Sequence, residues 1–261
     1  VETDAPVGFL QYYETDLAPK GEWSEEPIGT VGIDYLIGNS DYLGKGYGSK
    51  MVQMLIDLIK AKKEYYYIIA DPIIDNAASI KVLENIGFSK KTNGLYGLAL
   101  DNSGISIYRA TNEDVNSITL IFRDTIQKIN SKDYPSDEIE DWSSWWQDHE
   151  KWSERIQKQY FIVAKKENTI VGFSSIAPDG YLDFMFTHKE YQGQGIATKL
   201  LHQMERKALQ QGNETIYSDV SITAKSFFEK NGYSVEKQQL KKSRNKELIN
   251  FRMMKKVKKN N

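Results

Sequence analysis

Apolar residues along this chain follow two alternating spacings, and the same succession of spacings occurs twice. Residues 31–37 and 181–186 are apolar and aromatic runs of strand length, which predicts a buried strand in each half of the chain. Residues 51–59 and 200–208 then carry apolar side chains at helical spacing. Each half therefore contains a strand and a helix joined by a short polar loop.

A second strand and a second helix follow in each half. The strands are predicted at 65–70 and 215–217, and the helices at 79–86 and 223–231. Each helix stops just before a glycine that precedes an aromatic residue, and glycine is the residue expected past a helix C-terminus. The repeated unit is therefore strand, loop, helix, strand, helix.

The second copy is surrounded by more structure than the first. Only a strand at 7–13 and the turn-rich residues 14–27 precede the first copy, which closes with a strand at 95–100. The elements predicted around the second copy are a strand at 106–110, a helix at 112–129 with Thr111 as its N-cap, a second helical stretch at 136–158, a hairpin at 160–165 and 169–176, and closing strands at 234–240 and 250–257.

This pattern predicts an α/β fold with mixed sheets, divided into two domains. The polar segment 101–104 is the expected linker, which gives domains of residues 1–102 and 103–261. We expect the first domain to be truncated at its N-terminus and the second to be complete. A truncated domain should leave unpaired strand edges and exposed apolar surface.

Composition narrows the functional classes. The chain is 40% hydrophobic and 27% charged with a formal net charge of -2, so no general nucleic-acid partner is expected. It has no cysteine, which excludes a disulfide framework and a thiolate nucleophile and fits a cytoplasmic location. No apolar run approaches membrane-spanning length, so no membrane partner is expected. The three histidines are scattered, and no metal is expected.

The loop after the first strand of each copy is rich in glycine. Residues 41–50 are Asp-Tyr-Leu-Gly-Lys-Gly-Tyr-Gly-Ser-Lys, and residues 190–199 are Glu-Tyr-Gln-Gly-Gln-Gly-Ile-Ala-Thr-Lys. The two loops align without a gap. A glycine-rich turn that opens a helix presents backbone N–H groups and the positive end of the helix dipole to a phosphate. Each copy is therefore expected to bind a phosphate-bearing cofactor.

These loops in this element order resemble the GNAT superfamily of N-acetyltransferases, whose acetyl-CoA loop has the pattern Gln/Arg-x-x-Gly-x-Gly/Ala. The second loop matches it fully, whereas the first has Leu43 in the Gln/Arg position. The resemblance implies two GNAT folds in tandem, acetyl-CoA as co-substrate, and transfer of acetyl to a primary amine. The cofactor-binding residues it implies are Leu43, Gly44, Lys45, Gly46, Tyr47, Gly48 and Ser49 in the first copy, and Gln192, Gly193, Gln194, Gly195, Ile196, Ala197 and Thr198 in the second.

The first copy is further similar to aminoglycoside 6'-N-acetyltransferases, enzymes of antibiotic resistance, in residues 32–35, 43–48 and 71–88. That similarity implies that Asp34 and Asp71 contact the amines of an aminoglycoside. The acidic stretch 22–26, with Trp23 and Glu25, occupies the place of the acidic substrate loop in that family. The second copy is similar, in residues 221–233, to poorly characterised bacterial GNAT proteins, which implies the fold and the cofactor but no acceptor.

Chemistry and spacing select Asp34 and Asp183 as candidate catalytic residues. An alkyl ammonium must lose a proton before its nitrogen attacks a thioester, and a carboxylate beside it can orient it and accept that proton. Asp34 lies nine residues before Leu43, and Asp183 lies nine before Gln192. The alternative for each aspartate is a local hydrogen bond without function. The resemblance also implies a tyrosine general acid on the last helix of the unit, but Leu83 and Phe228 occupy that position.

Several alternatives remain open from the sequence. The acceptor is either a small amine, with aminoglycosides as the most specific candidate, or the amine of a protein or peptide. Alternatively, one copy is a non-catalytic binding or structural module, and the first copy is the candidate for that role. A homodimer is also compatible with the sequence. Trp142, Trp145, Trp146 and Trp152 either wall the second acceptor site or pack onto the sheet.

Overall fold

The computed structural model describes residues 6–17, Trp23 and 25–257. The chain separates into two compact units, Val1–Ser103 and Gly104–Asn261, called here the first and the second unit. Both units combine helices with sheets that contain parallel and antiparallel neighbours. The expected α/β fold class is therefore confirmed. Glu22 of the acidic stretch lies outside the described residues.

The first unit is built on a five-stranded sheet in the order β1-β2-β3-β5-β4. Helix α1 begins at Gly46, which adopts a left-handed conformation, and buries Val52, Leu55, Ile56 and Ile59 against the sheet. The elements of this unit are β1 (Gly8–Glu14), β2 (Thr30–Ile37), α1 (Tyr47–Ala61), β3 (Tyr67–Ala70), α2 (Ala77–Ile86), β4 (Ser89–Lys90) and β5 (Tyr96–Ala99), with 3-10 turns at Thr15–Leu17 and Ser40–Tyr42.

The face of β1 and β2 opposite to the apolar core of this unit carries exposed apolar side chains. Phe9 on β1 pairs with Leu36 on β2, and these two side chains are 52% and 54% exposed. Gln11 and Asp34 form the next pair on the same face, because side chains of a strand alternate between faces. Strand β1 also forms an edge of the sheet. The exposed apolar surface expected for this unit is thus found on its edge strand and its neighbour.

The second unit contains two sheets, one in the order β6-β7-β8-β9 and one in the order β10-β12-β11. Its first helix follows a capping box, in which the side chain of Thr111 accepts the backbone N–H of Asp114 and the side chain of Asp114 accepts the backbone N–H of Thr111. The elements are β6 (Ile105–Arg109), α3 (Val115–Lys128), α4 (Ser136–Ser143), α5 (His149–Lys158), β7 (Tyr160–Lys166), β8 (Thr169–Ile176), β9 (Leu182–Thr187), α6 (Ile196–Gln210), β10 (Thr215–Ser221), α7 (Lys225–Lys230), β11 (Ser234–Lys242) and β12 (Glu247–Lys256).

The helical stretch predicted at 136–158 is divided into α4, a 3-10 turn at Ser144–Gln147, and α5. Asp148 leaves helical geometry, with φ -91° and ψ 63°. The break lets the indole N–H of Trp152 donate to the carbonyl of Trp145 at 3.0 Å. Trp152 is thereby buried in the core, stacked on Phe184 with ring centroids 4.7 Å apart.

Candidate functional site

The two glycine loops have the same backbone conformation. Gly44 and Gly46 have φ of 71° and 81°, and Gly193 and Gly195 have φ of 75° and 79°. Only glycine adopts this left-handed region without strain. A Cβ atom added at any of the four would meet nothing within 4 Å. The glycines are therefore required by the backbone conformation, and the space above each loop is open for a ligand.

Each loop ends at a helix N-terminus that presents backbone N–H groups to this open space. The first bond of the helical ladder runs from Lys50 N to Gly46 O in the first unit, and from Lys199 N to Gly195 O in the second, at 3.2 and 3.0 Å. The N–H groups before these donors lie outside the ladder. With the positive end of the helix dipole, they form a site suited to the phosphates of a cofactor.

The two loops differ at the position before the first glycine. Gln192 donates its side-chain N–H to the carbonyl of Thr187 at 2.7 Å, which ties the start of the loop to the end of β9. Leu43 occupies this position in the first unit, is 59% exposed, and has no amide to donate. Gln192 therefore fixes the shape of its loop, and the first loop lacks this bond.

Candidate aspartates lie where two parallel strands separate. In the first unit β2 and β3 pair from Thr30 to Gly32 and no further. In the second unit, within the described residues, a single parallel bridge joins Tyr181, just before β9, to Tyr217 on β10. Asp34 and Asp183 each follow the last paired residue of their strand by two positions. Both predicted catalytic residues thus stand at the start of the opening between the strands.

The residues predicted to bind substrate in the first unit are exposed or half-buried. Asp34 is exposed and accepts a hydrogen bond from Gln11 Nε2 at 2.7 Å. Asp71 follows β3 directly and is also exposed, as is Glu25. The half-buried ring of Trp23 contacts the ring of Tyr13 edge-on, at 6.2 Å between centroids.

Glu26, the last carboxylate of the acidic stretch, has a different environment from Glu25. Its side chain is only 2% exposed and accepts two hydrogen bonds from Lys91 Nζ, at 2.5 and 2.6 Å. The positive charge of Lys91 balances Glu26 inside the unit. Glu26 therefore contributes no free negative charge to the open face, contrary to what the acidic stretch suggests.

In the second unit, a cavity of about 700 Å³ brings the cofactor loop and Asp183 together. Gln192, Gly193 and residues of the first turn of α6 line one end of it, and Asp183 also lines it. Asp183 accepts a hydrogen bond from Gln159 Nε2 at 2.9 Å and forms an ion pair with Arg155, whose Nε lies at 3.3 Å. The sequence did not single out Gln159 or Arg155, because both precede the repeated unit.

A second aspartate in this cavity, Asp219, was also missed. It follows Tyr217 by two positions, as Asp71 follows Ile69 on β3. Its side chain is 6% exposed and accepts from Arg252 Nε at 2.6 Å and Lys241 Nζ at 2.5 Å. Burial alone would raise the pKa of Asp219, but the hydrogen bonds from these two cations lower it below its ordinary value. Aligning the second strands of the two copies would have found it.

One wall of the cavity is formed by α4 and the following 3-10 turn, which are attached to the β11–β12 hairpin. The indole N–H of Trp145 donates to Ser243 Oγ at 3.2 Å. Asp141 accepts the backbone N–H groups of Arg244 and Asn245, both at 2.9 Å. The four tryptophans therefore divide between the two expected roles: Trp142, Trp145 and Trp152 line the cavity, Trp152 as part of the core, and Trp146 is not among the lining residues.

Tyr134, which lines the cavity, bonds to β12 and to the residue that follows β10. Its hydroxyl donates to the carbonyl of Ile249 and accepts the N–H of Ile222, both at 2.8 Å. Burial raises the pKa of Tyr134 to about 12. The phenol is therefore a neutral structural link at ordinary pH.

Other chemistry is sparse in the described part of the chain. Leu83 and Phe228, at the position of the expected tyrosine acid, are buried apolar residues. No group of three or more His, Cys, Asp or Glu side chains is placed to hold a metal among the residues described. None of the described helices is both long and apolar enough to cross a bilayer.

Comparison with known proteins gives a consistent picture for both units. Two family models, both described as an acetyltransferase (GNAT) domain, match residues 2–94 and 130–258. The expectation of two such modules in tandem is confirmed. The chain is 32% identical over 140 residues to the uncharacterized N-acetyltransferase YafP of Escherichia coli (strain K12), covering 54% of this chain and 88% of that protein.

Two further similarities each cover part of the chain. The chain is 37% identical over 87 residues to aminoglycoside N(6')-acetyltransferase type 1 of Klebsiella pneumoniae. That match covers 33% of this chain and 43% of the relative, so the chain spans less than half of that protein's length. A crystal structure of a GCN5-related N-acetyltransferase from Rhodopseudomonas palustris superimposes with a TM-score of 0.56 at 28% identity, covering 58% of this chain and 94% of that one.

Proposed function

Because this chain belongs to the GNAT acetyltransferase family, we propose that it transfers the acetyl group of acetyl-CoA to the primary amine of a small molecule. One observation carries the proposal: the cavity of the second unit joins the loop Gln192–Thr198 to the carboxylate of Asp183. The loop supplies the phosphate site, and the aspartate supplies a group that holds an amine. Both are needed for acetyl transfer, and both open into one space.

The residues of the second unit divide the chemistry among them. Acetyl-CoA supplies a thioester carbonyl. Asp183 orients the acceptor ammonium and accepts its proton, and Gln159 and Arg155 hold the carboxylate in place through the contacts at 2.9 and 3.3 Å. The N–H groups at the start of α6 bind the cofactor phosphates. Phe228 has no proton to give, so the thiolate of CoA leaves without a side-chain acid at that position.

For the first unit we propose an aminoglycoside as acceptor, acetylated at its 6'-amine. Support comes from the 37% identity to an aminoglycoside N(6')-acetyltransferase and from the exposed carboxylates of Asp34, Asp71 and Glu25. An aminoglycoside carries several ammonium groups, and exposed carboxylates on one side of a site attract such a cation. Trp23, two residues before Glu25, offers an aromatic surface.

The test is calorimetry with the full chain, first with acetyl-CoA and then with kanamycin in the same cell. Two cofactor sites and a heat signal from kanamycin are expected. Release of the CoA thiol then measures turnover. Asp34→Asn should abolish kanamycin acetylation and leave acetyl-CoA affinity unchanged, with Asp183→Asn as the matched control. Unchanged kanamycin turnover in Asp34→Asn would remove Asp34 from the mechanism.

A second candidate role for the first unit is a binding module without catalysis. Two observations favour it: Leu43 lacks the bond that orders the second loop, and the face that carries Asp34 is open. One cofactor site and no response to kanamycin would support this role.

Acetylation of a protein N-terminus or lysine is the alternative for the second unit, and a peptide panel in the thiol-release assay distinguishes it from small amines.

A further inference from the structure

Eleven aromatic residues are among those that line the cavity of the second unit. Trp142 and Trp145 form the wall on α4 and the following turn, and Phe184 lies next to Asp183 on β9. Trp142 packs edge-on against Tyr134, with centroids 5.6 Å apart. Flat aromatic surfaces that line a space favour a flat apolar occupant.

The charges at the cavity do not favour a polycation. Its charged lining residues are Arg155, Lys241, Lys242, Asp183 and Asp219. Both carboxylates are already paired, Asp183 with Arg155 and Asp219 with Lys241 and Arg252. Cations therefore outnumber anions around the space, and an acceptor with several ammonium groups would be repelled.

More positive charge lies behind the wall. The guanidinium of Arg244 and the ammonium of Lys151 lie over the ring of Trp145, at 4.6 and 4.9 Å from its centroid. These contacts hold the indole from outside the cavity and add to the positive surroundings. The arrangement contrasts with the first unit, where the side chains of Asp34 and Asp71 are exposed.

We infer that the acceptor of the second unit is a monoamine carried on an aromatic body, a different class from the polyamine proposed for the first unit. This inference rests on the proposed acetyltransferase function. The ring packs against the Trp142–Trp145 wall, and the amine reaches Asp183. Asp183 takes the proton of the ammonium, the amine nitrogen bonds to the thioester carbon, and the carbon–sulfur bond breaks. After the attack the positively charged nitrogen loses a second proton to water, which leaves a neutral amide, and CoA leaves as a thiolate that is protonated by water.

The experiment uses the full chain with tryptamine, putrescine and kanamycin as acceptors, and it measures thiol release. Tryptamine turnover is expected, and it should be lost in Asp183→Asn. Trp145→Ala should raise the KM for tryptamine about 10-fold, the size of one aromatic contact, with the KM for acetyl-CoA unchanged. Trp145→Phe should restore most of the affinity, because it keeps a ring on the wall.

Trp146→Ala is the matched control, because Trp146 neighbours Trp145 in sequence but is not among the cavity's lining residues. It should leave the KM for tryptamine unchanged. Equal effects of Trp145→Ala and Trp146→Ala would overturn the inference, since both would then act through folding. Turnover of putrescine or kanamycin that depends on Asp183, without turnover of tryptamine, would overturn it as well.

Failure of the acceptor class is separable from failure of the acetyltransferase function. Gly195→Asp places a carboxylate in the cofactor loop, and aspartate tolerates the left-handed conformation better than most residues. If acetyl-CoA binds and Gly195→Asp abolishes that binding at the second site, the cofactor site is established. Absence of tryptamine turnover then overturns only the acceptor class. Absence of binding at this loop overturns the acetyltransferase function itself.

Discussion

The difference between Gln192 and Leu43 gives a quantitative prediction about the two cofactor loops. Gln192→Leu removes the hydrogen bond to the carbonyl of Thr187, which has a length of 2.7 Å. That carbonyl keeps a second donor, the hydroxyl of Thr125 at 3.1 Å. The substitution therefore leaves no orphaned acceptor, and the cost is that of one hydrogen bond, about 1 kcal/mol.

This free energy is expected to appear in cofactor affinity. The bond holds the loop in its binding conformation, and without it the loop must be ordered when the cofactor binds. A loss of about 1 kcal/mol corresponds to about fivefold weaker binding of acetyl-CoA. The reverse change, Leu43→Gln, should tighten the first site by a similar factor, because Leu43 is 59% exposed and a glutamine fits there without a clash.

Calorimetric titration with acetyl-CoA measures both changes, and each site is measured with the other silenced. Gly46→Asp silences the first loop, and Gly195→Asp silences the second. Unchanged affinity in Gln192→Leu would refute the argument that the bond orders the loop. A loss of 100-fold or more would also refute it, since it would mean that Gln192 contacts the cofactor directly.

Three further outcomes follow from individual side-chain contacts. Tyr134→Phe should lower the free energy of unfolding at pH 8 by about 1 to 2 kcal/mol. Because burial raises the pKa of Tyr134 to about 12, the stability that its neutral phenol contributes is complete below about pH 10 and is lost as the pH rises toward 12. In guanidinium unfolding, the variant should therefore lose less stability at alkaline pH than the parent protein. Lys91→Met should destabilise the first unit by about 3 kcal/mol in urea unfolding, because it leaves the carboxylate of Glu26 buried without a partner, and a loss below about 1 kcal/mol would contradict this. Asp141→Ala should raise the KM for the acceptor and not for acetyl-CoA in steady-state kinetics, because Asp141 fixes only the cavity wall; equal effects on both would contradict the assignment of that wall.

The features that the sequence predicted well are those set by local backbone geometry. The glycines at 44, 46, 193 and 195 mark left-handed positions, and a left-handed conformation depends on few neighbours. The matched spacing of Asp34 and Asp183 led to equivalent points on two strands, because strand geometry converts residue count into position. Loop and strand together were enough to place a glycine loop of each copy at a helix N-terminus.

The features that it missed depend on contacts between distant residues. Asp219 was overlooked because its strand was expected to end at residue 217, whereas β10 continues to Ser221. The pairing of Glu26 with Lys91 joins residues 65 positions apart, and no local pattern indicates it. The helix break near Asp148 is another case, since it accompanies packing of Trp152 into the core rather than a proline or glycine.

The split sheet of the second unit has a consequence for its folding. Among the described residues, one bridge between Tyr181 and Tyr217 joins the β6–β9 sheet to the β10–β12 sheet, so the ladder itself couples the two blocks only weakly. An extended ligand with amide groups, bound where β9 and β10 separate, would form hydrogen bonds to both strands as an intervening strand would. Hydrogen exchange should then slow in both blocks together, and the melting temperature should rise with acetyl-CoA concentration. The supply of acetyl-CoA would then set how cooperatively this unit unfolds, and with that its resistance to proteolysis.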